Sequence, residues 1–239
     1  MNLATSNHGS KRFTPLLRFR HLPFIRYSLS DSPRPEHYRI SVKRELEEFV
    51  TACNSDGVTQ PAISRHPAYI SHILHDKLQE GDTVDVAYPF GEFFMDDSTT
   101  PIVLLSAGVG LTPILSMLNT LTAEGKRPNR QVSWIQGMRT PRDHAFLGHI
   151  RSLTQKYPEE IKTAIFYSAL GEGDNLQKGE YKGRMSLLCE DWDQGLLHLN
   201  DKESQYYMCG PVPFMDAITE QLKSLGVEGE RIHAEVFVP

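Results

Sequence analysis

The sequence predicts an α/β chain, with an antiparallel β region ahead of a five-stranded parallel sheet that carries helices on both faces. Three features support this class. After residue 100, strand-like and helix-like segments alternate regularly, the rhythm of right-handed βαβ units. The first strand of that series, Ile102-Val103-Leu104-Leu105, is an unbroken apolar run, as a central strand buried on both faces requires. Before residue 45, two runs rich in β-branched and aromatic residues flank Asp31-Ser32-Pro33-Arg34-Pro35, a turn signal that folds them into an antiparallel hairpin or meander.

Residues 1–24 hold Lys11, Arg12, Arg18 and Arg20 and no Asp or Glu. Leu16, Leu17, Phe19, Leu22 and Phe24 make neither a helical stripe nor a strand pattern, so the segment reads as a flexible basic lead-in. The same composition is that of a mitochondrial transit peptide, and both readings stand. Strands follow at Phe24 to Leu29 and Tyr38 to Lys43. Residues 53–68, with Asn54, Asp56, Gly57, Pro61 and Pro67, read as a long loop. Tyr69 to Leu78 has helical spacing and stops before Gly81, and Thr83 to Tyr88 sets Val84, Val86 and Tyr88 on one face of a half-buried strand. Met95 to Thr99 reads as a linker. Beyond it, strands are expected at Ile102 to Ser106, Gln131 to Gln136, Lys162 to Tyr167, Gln205 to Cys209 and Arg231 to Phe237, with helices at 113–124, 142–156 and 212–225.

Composition narrows the function classes. With 39% hydrophobic and 23% charged residues in 239, the chain is of ordinary globular make-up, neither disordered nor collagenous. Its apolar runs fall far short of the roughly 20 residues that span a bilayer. A net charge of −5 gives no overall electrostatic reason to bind nucleic acid. Cys53, Cys189 and Cys209 are too scattered for a disulfide framework or a CxxC metal site, and fit a reducing compartment such as the cytoplasm. His72 and His75 have helical spacing but no third ligand beside them, so no metal site is expected.

Two turns carry the candidate chemistry. Ser106-Ala107-Gly108-Val109-Gly110-Leu111-Thr112-Pro113 follows the first parallel strand and opens a helix. Gly108 and Gly110 permit a tight turn and close ligand approach, Thr112 suits an N-cap and Pro113 the first helical position. Backbone N–H groups there suit a pyrophosphate, although Pro113 stands where a full GxGxxG fingerprint has its third glycine. A strand–helix turn that needs glycine for geometry alone is the plainer alternative. Met208-Cys209-Gly210-Pro211 repeats the design at the fourth strand, and two such turns converge on the crevice where open α/β sheets bind ligands. Cys209 on its own also reads as a small buried residue.

Tyr27-Ser28-Leu29-Ser30-Asp31, Tyr38-Arg39-Ile40-Ser41-Val42-Lys43-Arg44-Glu45, Phe90-Gly91-Glu92-Phe93-Phe94-Met95, Gly108 to Pro113, His144-Ala145-Phe146 and Cys209-Gly210-Pro211-Val212-Pro213-Phe214-Met215 occur in that order. Together they resemble the ferredoxin–NADP reductase superfamily, specifically the reductase module of flavohemoglobins, over residues 25–239. The resemblance implies an antiparallel FAD-binding barrel followed by an NAD(P)H domain, with hydride passing from nicotinamide to flavin between them. It divides the chain into the basic segment 1–24, a partial barrel over 25–97 and an NAD(P)H-binding domain over 101–239.

Carried over residue by residue, the resemblance sets Tyr27 against the flavin ring and Ser28 near its N5, with Val42, Lys43 and Arg44 along the cofactor. Ile70 and Ser71 begin the helix facing the pyrophosphate. Gly108, Gly110, Thr112 and Pro113 hold NAD(P)H, and Cys209, Gly210 and Pro211 lie beside the nicotinamide. Glu235 and Phe237 resemble the family's ending, in which an aromatic ring covers the flavin; plain core packing is the alternative for Phe237. The expected catalytic set is Tyr27, Ser28, Cys209, Glu235 and Phe237.

Three departures from the family pattern matter. Ile25 occupies the place of the family's phosphate-binding arginine, with Arg26 one residue off, so Arg26 reaches a phosphate only through a strand bulge. Ala68 replaces a glycine. Only 26 residues precede Tyr27, so the barrel is expected to be incomplete and the globin domain of a flavohemoglobin absent. His144 is expected to be structural. The implied function is electron transfer from NAD(P)H through FAD to a haem protein or globin acceptor, in the lineage of nitric oxide dioxygenase reductases. The alternative is a non-catalytic NAD(P)-binding remnant that holds no flavin.

Overall fold

The computed structural model describes residues 2–4, 16–18, 25–44, 49–53, 59–63, 71–123, 127–189 and 191–236. Short antiparallel strands dominate the first part. β1 (Asn2–Ala4) pairs with β4 (His37–Arg39), and β2 (Leu16–Arg18) lies between β3 (Ile25–Arg26) and β7 (Asp85–Val86). β5 (Phe49–Cys53) pairs with β6 (Thr59–Ile63). The expected turn at 31–35 is closed by the antiparallel bridge Leu29↔Ile40 and by Ser30 N–H donating to Arg39 O at 2.8 Å. Leu29 and Ile40 form a small core on which Tyr27, Tyr38, Val42, Leu74, Val84 and Val86 pack.

Several sequence expectations change here. β1 and β2 lie in the segment read as a strandless lead-in, whose other residues lie outside the described ones. Three-residue strands carry too little alternation to see and are recruited by partners far along the chain. β6 occupies part of the stretch read as a loop. Its Pro61 lacks a backbone donor, but a two-stranded ribbon has a free edge that tolerates it. The strand expected at 83–88 shrinks to Asp85–Val86: Val84 and Val86 face the small core, while Tyr88 is 76% exposed. The helix expected over Tyr69 to Leu78 is present from Ser71 to Lys77 among the described residues, but it widens to π-type winding over Ile73–Lys77, where Leu78 N–H reaches back to Ile73 O at 3.1 Å.

From residue 102 the expected rhythm holds. β8 (Ile102–Ala107), β9 (Val132–Met138), β10 (Ile161–Tyr167), β11 (Glu180–Lys182), β12 (Gln205–Gly210) and β13 (Ile232–Val236) form one parallel sheet in the order β11-β10-β9-β8-β12-β13. The sheet has six strands rather than the expected five. β11 is hidden in the sequence because Glu180-Tyr181-Lys182 is a short polar edge strand held through its backbone to β10.

Side chains along β8 alternate between two cores, as the pleat requires. Ile102 and Leu104 join Trp134, Tyr207 and Cys209 beneath α1 (Leu111–Leu121) and α2 (Leu147–Lys156). Val103 and Leu105 join Ile135, Phe166, Tyr206 and Met208 on the face covered by α3 (Val212–Ser224) and by Leu187, Trp192 and Leu197. Helix starts shift for local reasons. Gly108–Gly110 winds as a 3-10 turn straight into α1, so that helix opens at Leu111. Phe146 sits in the left-handed region at φ 63°, which splits the expected 142–156 helix into a 3-10 turn at Pro141–Asp143 and α2. Among the described residues, no helix is long and apolar enough to cross a membrane.

Candidate functional site

The two glycine turns meet at the carboxyl ends of β8 and β12. Gly108 has φ +55° with open space where a Cβ would point, so backbone conformation alone requires it. Gly110 is required by contact: a Cβ there would fall 2.2 Å from Cys209 O and 2.5 Å from Gly210 N. Gly210 is closed in as well, since a Cβ would meet the Phe214 ring at 2.7 Å and Ala107 at 3.3 Å. Thr112 is not the N-cap. Gly110 holds that position and gives α1 no side-chain cap, leaving Thr112 and Pro113 as its second and third residues. Thr112 Oγ1 instead donates to Val109 O at 3.2 Å, tying the turn to the helix it opens.

Cys209 is fully buried in the core beneath α1, and burial pushes its thiol pKa up, so at neutral pH it is an apolar wall rather than a thiolate. What it presents toward Gly110 is backbone. Pro211 is exposed and caps α3 by accepting from Phe214 N–H and Met215 N–H at 2.9 and 3.1 Å. In register with Cys209 across the sheet is Glu235, whose carboxyl pKa is raised by burial, an effect opposed by the positive charge of Arg26. The Arg26 guanidinium lies 5.2 Å from the centre of the Phe90 ring. Phe237, Ile70 and Ala68 lie outside the described residues.

Around the small core, Tyr27 and Val42 pack against Leu29 and Ile40. Ser28 is 5% exposed, and its hydroxyl has no hydrogen-bond partner among the described residues. Lys43 is exposed, Arg44 pairs with Asp76 at 2.9 Å, and Ser71 is buried just ahead of the Ile73–Lys77 turn. His75 Nε2 lies 2.9 Å from Val42 O. Among the described residues, no three His, Cys, Asp or Glu side chains gather to hold a metal ion.

His144 is buried in a hydrogen-bond network. Its Nδ1 lies 2.8 Å from Tyr167 OH and its Nε2 2.9 Å from Gln136 Oε1, which also accepts from Trp134 Nε1 at 2.9 Å. Because Gln136 Oε1 only accepts, the partners assign the ring proton to Nε2, and Nδ1 accepts from Tyr167. Burial lowers the pKa of His144 to about 4.

Sequence reasoning missed the residues that join the two parts of the chain. Ser116 and Asn119, three apart on α1 and both buried, reach Ser30 and Asp31. The available signal was a polar pair at helical spacing among Ile114, Leu115, Met117 and Leu118.

A parallel sheet whose first strand runs through a glycine turn into a helix, with a second glycine turn packed against it, is a nucleotide-binding arrangement. Residues 104–220 match the oxidoreductase NAD-binding domain family. This chain carries an oxidoreductase NAD-binding domain.

Its relatives agree with that reading. A flavohemoprotein of Bacillus cereus is 39% identical over 214 residues, which cover 89% of this chain and 48% of that protein. A flavohemoprotein of Bordetella pertussis is 40% identical over 216 residues, covering 88% and 47%. The chain therefore spans about half the length of the curated relatives it matches. The flavohem-like FAD/NAD-binding domain of nitric oxide dioxygenase from Vibrio cholerae aligns with a TM-score of 0.72 at 29% identity, covering 99% of this chain and 88% of that one. The resemblance to a flavohemoglobin reductase module stands, and the cofactor pair read from the sequence, FAD and NAD(P)H, is supported by these matches.

Proposed function

We propose that the chain takes electrons from NAD(P)H through FAD and passes them to a one-electron acceptor, a haem protein or globin, as the reductase module of a nitric oxide dioxygenase does. The observation that carries this reading is the buried hydroxyl of Ser28, unpartnered among the described residues, beside Tyr27 on the segment that the resemblance sets against the flavin. A buried hydroxyl without a partner costs about 1–3 kcal/mol, a cost that a ring nitrogen of a bound flavin would remove. FAD supplies the chemistry when bound: it takes up a hydride and releases electrons singly.

The chain's own residues bind and orient. Ser28 donates a hydrogen bond to the flavin, and Tyr27 and Val42 give it an apolar wall. Gly108 and Gly110 let the nucleotide approach the opening turn of α1 closely, and the Cys209–Gly210 backbone closes the other side of the crevice. Glu235, whose carboxyl pKa is raised by burial against the charge of Arg26, lies in register with Cys209 beside that crevice. On this reading residues 25–97 form the flavin part and 101–239 the nucleotide part. The thiols Cys189 and Cys209, both free, suit the reducing cytoplasm.

A second reading, an NAD(P)-binding protein that holds no flavin, is favoured by one observation. Arg44 is paired with Asp76 and Arg26 lies over Phe90 near Glu235, so neither is placed free for a flavin phosphate. Reconstitution with FAD followed by anaerobic addition of NADH or NADPH decides between them. A yellow protein whose flavin band bleaches supports the flavin reading, and a chain that binds NAD(P)H yet stays colourless after exposure to FAD selects the other.

A further inference from the structure

A polar joint between the two parts of the chain links the segment bearing Ser28 to the helix bearing the glycine turn. Ser116 Oγ donates to Asp31 O at 2.6 Å. Asn119 Nδ2 donates to Ser30 O at 3.3 Å and to Asp31 Oδ1 at 3.0 Å, while Asn119 Oδ1 accepts from His149 Nε2 on α2 at 2.7 Å. Arg39 holds the same segment from the other side. It pairs with Asp31 Oδ2 at 3.3 Å, donates to Ser30 O and lies 5.9 Å from the centre of the Phe146 ring.

We propose that Asn119, assisted by Ser116, is a positioning residue that fixes Ser28 and its flavin-facing segment relative to the nucleotide turn at the start of α1. The proposal rests on the reading of the chain as an NAD(P)H–flavin reductase. Its physical basis is directionality. Apolar faces slide past one another at little cost, whereas a carboxamide that donates twice on one side and accepts on the other holds one register. Ser30 is two residues from Ser28, and Asn119 lies on the same helix that Gly108–Gly110 opens, so the clamp ties together the two ends of a hydride path. Reacting atoms must meet within roughly 3–3.5 Å, and a displacement of about 1 Å costs on the order of 100-fold in rate.

The test uses Asn119→Asp, which keeps the shape but turns the donor into an acceptor facing Ser30 O and the Asp31 carboxylate. Ser116→Ala, which deletes a single hydrogen bond, is the milder companion. In the chain without cofactors, hydrogen–deuterium exchange over 27–32 is expected to rise about tenfold or more in Asn119→Asp, with exchange over 132–138 unchanged. In the FAD-loaded chain, stopped-flow reduction is expected to show a limiting rate about tenfold lower or less, and a nucleotide dissociation constant within about twofold of the native value. Ser116→Ala should give the same pattern at about threefold, and it carries the test if Asn119→Asp does not fold. A native limiting rate, a rate and affinity that fall together, or exchange that rises throughout the chain overturns the proposal. If the native chain is not reduced by NADH or NADPH, the functional reading fails instead. The exchange arm then decides the clamp by itself: selective loosening of 27–32 keeps it, and unchanged exchange removes it.

Discussion

Gly110 and Cys209 are in backbone contact across the two nucleotide-facing turns: a Cβ on Gly110 would fall 2.2 Å from Cys209 O and 2.3 Å from its carbonyl carbon. The obstacle is main chain in the middle of the sheet, so no rotamer change relieves it. Gly110→Ala should therefore push β12 away from the turn, destabilising the chain by about 3 kcal/mol as an overpacked site does. Urea unfolding checks the stability and calorimetry the NAD(P)H affinity, which should fall with it. Gly108→Ala meets no neighbour and should cost only the strain of a left-handed alanine, about 1–2 kcal/mol. A Gly110→Ala chain as stable as Gly108→Ala would refute the contact.

Stability should fall as the medium is acidified, through His144. Its pKa is held at about 4 in the folded chain, chiefly by burial, whereas an unfolded histidine titrates near 6.5. The unfolded chain thus binds the proton first, and stability present above pH 6.5 is lost as pH falls toward 4, by up to roughly 3 kcal/mol. His149, His198 and His233 are lowered by burial too and act in the same direction. Urea midpoints at about pH 7.5 and about pH 4.5, on either side of the unfolded midpoint, measure the slope. His144→Gln should flatten it even where it lowers stability at neutral pH.

The two described thiols should differ sharply in reactivity. Cys189 is half-buried, with its Sγ 3.2 Å from Asp191 Oδ2, whereas Cys209 is wholly buried and its thiol pKa is pushed up by desolvation. Treating the folded chain with a disulfide reagent at mildly alkaline pH and mapping the peptides should find Cys189 labelled and Cys209 intact until urea is added. Equal labelling of both in the folded chain would show that the β12 end opens.

Arg26 should act on Glu235 rather than on a flavin phosphate. Its charge opposes the burial that raises the Glu235 carboxyl, and its guanidinium already lies over Phe90. Removing it with Arg26→Ala should move the Glu235 midpoint higher still, read by carboxyl-carbon NMR, while the FAD dissociation constant stays within about threefold of native. A tenfold loss of FAD affinity, where each 1.4 kcal/mol is a factor of about 10, would return Arg26 to the phosphate.

The nucleotide half is legible in contiguous residues. Ile102 to Leu105 must be buried on both faces, and the Gly108 and Cys209-Gly210 turns must follow strands, because short periodicities and neighbouring residues carry those properties. For the same reason β8, β9, β10, β12 and β13 could be read and β11, with no apolar pattern, could not. Other features depend on partners distant in the chain. The pairings of Asn2–Ala4 with His37–Arg39 and of Leu17 with Val86, the backbone contact that makes Gly110 obligatory, and the charge of Arg26 beside Glu235 all join residues tens of positions apart. So does the clamp of Ser116 and Asn119 on Asp31. Local propensity is read from neighbours in sequence, but a hydrogen bond or steric stop is a relation between neighbours in space, and only the folded chain brings those together.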